Sequence, residues 1–167
     1  RSCSRPHDPF TRLATWGSVL WTGQDFQCIS CGGVPGWRQT SLRAEITAAI
    51  SALKYLSRQD KPGRLWIDNQ QVYNTLSALL HGSSLTLETK RDADLWMLLR
   101  DQFKHASGYV LDVLKIRAHA IASDQLTPID EWAVKGNTAA DAAANAARLT
   151  LPPALLRATE RDRKSVV

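Results

Sequence analysis

The stretch Thr40-Ser41-Leu42-Arg43-Ala44-Glu45-Ile46-Thr47-Ala48-Ala49-Ile50-Ser51-Ala52-Leu53 decides how the rest of the chain is read. Leu42, Ile46, Ala49, Ile50, Leu53 and Leu56 recur at the spacing of a helix that buries one face, which predicts a helix over 41–57. Glu45 lies at the edge of that apolar stripe, beside Ile46 and Ala49, where a carboxylate is costly unless it meets a partner such as a metal ion. If Ser41 caps this helix, a capping-box glutamate belongs at position 44. Ala44 stands there, so capping does not account for Glu45.

Upstream, Leu13 to Trp21 and Gln24 to Cys31 read as two strands of a hairpin broken at Thr22-Gly23, and Gly32-Gly33-Val34-Pro35-Gly36 ends it. Downstream, Pro62-Gly63 stops the helix, and Arg64-Leu65-Trp66-Ile67 is an apolar run suited to a buried strand. Asp68 stands at the C-terminal end of that strand, where α/β sheets open their crevices. Its ordinary alternative is a helix N-cap, because helical spacing resumes from Gln70 to Leu80. A third helix is expected over 92–106 and a half-buried strand over 109–116. A loop is expected from His119 to Gly136, and an alanine-rich helix from Asn137 to Leu149, closed by Pro152-Pro153. With Asn137 as its cap, Asp141 lies one turn in, among small alanines that allow close packing on a sheet. The alternation of elements predicts a mixed α/β sheet with helices packed on it.

The length of 167 residues suits one domain, assigned to 1–149, with a charged tail or linker over 150–167. Lys and Arg number 21 against 16 Asp and Glu, and the net charge of +5 favours a polyanionic partner. No apolar run approaches the roughly 18 residues of a membrane span. The start, Arg1 to Phe10, lacks the apolar stretch of a secretory signal, so an intracellular protein without a membrane partner is expected, cytoplasmic or nuclear. Three cysteines argue for reduced thiols, although Cys28 and Cys31 with Cys3 and His7 would be a four-ligand set for zinc. The segment Gln24 to Gly33 reads better as a strand entering a glycine turn.

Taken together, four segments resemble the ribonuclease H family. Residues 40–53 are similar to its T-x-x-R-x-E-x-x-A-A-x-x-A-L helix, and Ile67-Asp68-Asn69-Gln70-Gln71-Val72 to its D-S-x-x-V strand end, with Asn69 replacing serine. Lys115-Ile116-Arg117-Ala118-His119 resembles the K-V-x-x-H strand and loop, and Gly136-Asn137-Thr138-Ala139-Ala140-Asp141 the G-N-x-x-A-D helix start. The resemblance implies an α/β fold with a five-stranded mixed sheet and helices on both faces, and hydrolysis of the RNA strand of an RNA/DNA hybrid. It implies two Mg²⁺ ions, with Mn²⁺ as an alternative, held by Glu45, Asp68 and Asp141 together with a fourth carboxylate. Such ions would activate the attacking water and stabilise the leaving oxygen. His119 would assist proton transfer or product release. Thr40, Ser41, Asn69, Gln70 and Asn137 would contact substrate, with basic groups at Lys54, Arg58, Lys61, Arg64, Lys90, Arg91, Arg100 and Lys104 further out.

The family's first strand ends in Asp-Gly-Ser, and no such triplet occurs in this chain. The expectation is therefore a domain without its first strand, weak or inactive in cleavage, from a retroelement polyprotein in which it adjoins a reverse transcriptase. A monomer is expected. A non-catalytic nucleic-acid-binding or scaffold domain of the same fold is the alternative. An integrase or transposase reading fits less well, because Arg43-Ala44-Glu45 and the segment Gly136 to Asp141 are foreign to it.

Overall fold

The computed structural model describes residues 2–3, 14–36, 38–116 and 127–151. A two-residue strand, β1 (Ser2–Cys3), is followed by the hairpin strands β2 (Ala14–Trp21) and β3 (Phe26–Gly33), all antiparallel in the order β1-β2-β3. At the hairpin tip the Thr22 N–H donates to the Asp25 carbonyl at 3.0 Å, and Gly23 takes φ +100°, a conformation that side chains resist. Ser18 pairs with Ser30 and Val19 with Cys28, which leaves Ile29 as the extra residue of a β-bulge.

Helix α1 (Ser41–Gln59) begins where the apolar spacing predicts, but its cap is Thr40 rather than Ser41. The Thr40 hydroxyl accepts from the Arg43 N–H at 3.2 Å. β4 (Gly63–Ile67), α2 (Gln70–Leu80) and α3 (Ala93–Ala106) fall within a residue of expectation, and β5 (Val110–Lys115) follows a 3₁₀ turn at Ser107–Tyr109. β4 and β5 run parallel, with α2 and α3 in the crossover between them. The Ile116 N–H extends their ladder by donating to the Ile67 carbonyl at 2.9 Å. Ile46 and Leu53 of α1, Val72 and Leu76 of α2, and Trp96 and Leu99 of α3 are fully buried in one core against these strands. Each such side chain contributes about 1.5–3 kcal/mol by leaving water. The Trp96 indole N–H, buried with its ring, donates to the Arg91 carbonyl at 3.1 Å.

Two expectations are corrected. The last helix, α4, spans Pro128–Leu149, so the loop expected up to Gly136 is helical from Pro128 and Asn137 lies mid-helix instead of capping it. Thr127 is the cap: its hydroxyl accepts from the Asp130 N–H, and the Asp130 carboxylate accepts from the Thr127 N–H in return, with Pro128 in the first turn. Gly136 is in the helix because the Phe26 ring packs there, and a Cβ would lie 2.9 Å from it. The second correction concerns the sheet. Among the described residues five strands form a three-stranded and a two-stranded sheet rather than one continuous sheet. β1 reaches only Ala14 and Thr15, and among the described residues the remainder of β2 is laddered on its β3 side alone. Among the described residues no strand pairs with both β2 and β4. The expected charged tail lies outside the described residues, apart from Thr150 and Leu151.

Helices α1 and α4 cover opposite faces of the hairpin. The Ser18 hydroxyl donates to the Ala48 carbonyl of α1 at 2.8 Å, while a Cβ at Gly17 would lie 2.7 Å from the Ala140 carbonyl of α4. The alanines of α4 thus meet a strand backbone bare of side chain, which lets helix and sheet approach closely. Gly17→Val is expected to destabilise the fold by about 1–3 kcal/mol, the usual range for overpacking, measured as a lowered urea midpoint. A midpoint equal to that of the parent chain would show that the approach of α4 is not tight at Gly17.

Candidate functional site

Glu45 projects from the second turn of α1, and Asp68 follows directly on β4. Both line a cavity of about 720 Å³ that runs between the unladdered edge of β2, from Gly17 to Trp21, and the segment from Pro62 to Asp68. Asn137 of α4 lines the same cavity. Three elements distant in sequence thereby bring two carboxylates and an amide to one crevice at the C-terminal end of a parallel strand. Asp68 is not the N-cap of α2. Asn69 caps α2, its side-chain oxygen accepting from the Gln71 and Val72 N–H groups at 2.9 and 3.2 Å. The Lys115 ammonium, at the end of β5, lies 3.8 Å from Asp68.

Asp141 sits a helical turn beyond Asn137 and is not among the residues lining the cavity. No group of three His, Cys, Asp or Glu side chains gathers as a metal set among the described residues. The chemistry of Glu45 and Asp68 nevertheless fits a hydrated Mg²⁺, a hard ion that takes one or two carboxylates and keeps several waters. His119 lies outside the described residues. Of the expected substrate contacts, Thr40 and Asn69 are helix caps, Ser41 opens α1, and Gln70 donates to the Asn74 side chain at 2.8 Å. Lys54, Arg58, Lys61, Arg64, Lys90, Arg91 and Lys104 are exposed, whereas Arg100 is half-buried and donates to Glu88 at 2.7 Å. Cys28 and Cys31 are free and exposed; His7 and the Cys3 side chain, the other half of the expected zinc set, lie outside the described residues.

A residue whose role the sequence did not disclose holds the start of α1 in place. Arg43, two residues before Glu45, is 5% exposed, and its guanidinium forks onto the Asp94 carboxylate at 2.8 and 2.9 Å. It also donates to Asp92 at 3.2 Å and to the Pro35 carbonyl at 3.1 Å. Asp92 is itself buried, in a left-handed conformation at the start of α3, and Arg38 approaches it at 3.5 Å. The one available signal was an arginine within an apolar helix, since a buried guanidinium needs acidic partners somewhere. Nothing local shows that these are 49 and 51 residues away.

A mixed α/β fold with one acid ending a parallel strand and another on the preceding helix belongs to a class of nucleic-acid-hydrolysing domains. The RNase H family profile matches residues 2–148, and the chain is a member of that family. Its fold is similar to the solution structure of the PFV RNase H domain, with a TM-score of 0.60 and 18% identity over 87% of this chain and 88% of that one. Among curated protein sequences none matches the chain.

Arg43→Met is expected to destabilise the domain by about 3–5 kcal/mol, the range for removing one partner of a buried pair, because Asp92 keeps its burial and loses its main counter-charge. Calorimetric or urea unfolding reads this, and a loss under about 1 kcal/mol would mean that the pair contributes no more than a surface one. The hydrogen bond from Arg43 also holds the Asp94 carboxyl below its ordinary range. A depressed folded pKa adds stability above the unfolded value, about 3.9, that is lost as pH falls through the folded one. Asp94→Asn should therefore flatten the acid limb of the stability profile below about pH 4 and leave its alkaline limb unchanged.

Proposed function

We propose that the chain is a divalent-metal-dependent endonuclease that hydrolyses the RNA strand of RNA/DNA hybrids. The observation that carries this reading is the convergence of Glu45, Asp68 and Asn137 on one crevice in a member of the RNase H family. Glu45 and Asp68 would hold the metal, with Asp141 joining them from α4, and Mg²⁺ or Mn²⁺ would supply Lewis-acid activation of water when bound. Asp68, with the Lys115 ammonium 3.8 Å away, would be a hard oxygen ligand at the strand end. Asn137 and the exposed N-terminal turn of α2 at Gln70 would meet substrate, with Thr40 and Ser41 at the head of α1. Arg64, which lines the crevice, and the other exposed lysines and arginines suit a phosphate backbone, whose contacts dominate affinity and weaken with salt. His119 would move a proton near the scissile phosphate.

The reading includes low cleavage by the 167-residue chain, because among the described residues the facing edges of β2, beyond Thr15, and of β4 carry no ladder partner, which leaves the site without a strand behind it. It also includes the placement of the domain in a retroelement polyprotein, beside a reverse transcriptase. A second reading, a binding domain that does not cut, is favoured by the absence of a three-ligand cluster among the described residues.

Cleavage of an end-labelled RNA/DNA hybrid in Mg²⁺, with and without chelator, separates the two. Slow, chelator-sensitive release of RNA fragments is expected. Glu45→Gln and Asp68→Asn should each lower it by at least the roughly 10–100-fold that even an outer-shell partner of a metal is worth, while hybrid binding in a filter assay persists. Binding without any metal-dependent cleavage supports the second reading. Efficient turnover overturns the role given to the open slot, and full activity in both variants overturns the ligand assignment.

A further inference from the structure

The Cys28 and Cys31 side chains lie on β3, three residues apart, a spacing that in a regular strand points them to opposite faces. The bulge at Ile29 cancels that. Cys28 is opposite Val19 and Cys31 opposite Gly17, and directly opposed residues of an antiparallel pair share a face. Val19 and Gly17 are two apart on β2, so both cysteines are brought to the same face of the sheet. That face is the one covered by α4, since Gly17 abuts Ala140 and the Phe26 ring, farther along β3, contacts Trp132. β3 is the outer strand, so both thiols remain exposed beside α4. Burial, and after it the neighbouring Cys31 thiol, push the Cys28 thiol up, in keeping with two thiols on one face.

We propose that Cys28 and Cys31 form a redox-active dithiol that low-molecular-weight disulfides such as oxidised glutathione convert to an intramolecular disulfide within the folded domain. One cysteine, as the thiolate, attacks the small disulfide. A mixed disulfide forms and one small thiolate leaves. The second cysteine gives up its proton and attacks the protein sulfur of that mixed disulfide, closing the Cys28–Cys31 bond and expelling the second small thiolate. Two cysteine thiols are oxidised and one small disulfide is reduced to two thiols. The product clamps the bulge, and its exposure makes it readily reversible by a reductant.

The test uses the whole chain carrying Cys3→Ser, equilibrated in glutathione buffers of graded thiol-to-disulfide ratio, quenched by alkylation and mapped by mass spectrometry. One tryptic fragment, residues 13–38, contains both cysteines. It is expected to lose two hydrogens and both alkylation sites together, with little glutathione adduct. Cys28→Ser and Cys31→Ser should each instead accumulate a glutathione adduct on the remaining cysteine. Oxidation under native conditions should be at least as favourable as in urea. Two independent adducts on the parent fragment, persistent thiols, or closure seen only in urea would each overturn the proposal.

Discussion

A buried arginine sets the geometry on which the site depends. Arg43 cannot remain charged inside the protein unless Asp92 and Asp94 face it, and burying such a group is tolerated only with good geometry and further hydrogen bonds. That requirement ties the first turn of α1 to the first turn of α3 and to the carbonyl of Pro35. Glu45 is two residues further along the same helix, so its position in the crevice follows from where the guanidinium is held. A hydrophobic contact in the same place would leave the helix freer to slide or rotate, because apolar packing is not directional.

The second determinant is the parallel pair of β4 and β5. Its ladder ends at Ile67 and Lys115, and the chain turns there into α2 under the cap of Asn69. Asp68 is left between strand and cap, with Lys115 beside it. The division of labour between neighbouring residues is physical. Asn69 accepts from the orphan N–H groups of the helix, and Asp68 lines the crevice.

The site is also shaped by what separates the two sheets. Glu45 and Asp68 stand along a slot between strand edges rather than over a continuous sheet, and α4 crosses one side of it with Trp132, Gly136 and Ala140. Trp132 packs edge-on or tilted against Trp21, Phe26 and Trp66, with ring centroids 5.2–5.8 Å away, and so bridges the hairpin to β4 where, among the described residues, no ladder does. Aromatic packing substitutes for hydrogen bonds in holding the sheets together.

Local pattern sufficed wherever one face of an element is apolar. The stripe from Leu42 to Leu56 marks α1, Val72 to Leu80 marks α2, and the short run Arg64 to Ile67 marks β4, because burial imposes its period on the sequence. Glu45 and Asp68 stood out for the same reason, as charges at edges that the pattern reserves for apolar or capping residues. Thr127-Pro128-Ile129-Asp130 carries a helix-start pattern, yet Gly136-Asn137 is the stronger local boundary signal; the glycine inside the helix has its reason in the Phe26 ring packed against it, a contact from a distant segment. The partners of Arg43, the face shared by the two cysteines and the gap between the sheets belong to the tertiary structure alone. Each depends on which residues from distant segments meet, and neither period nor propensity encodes that distance.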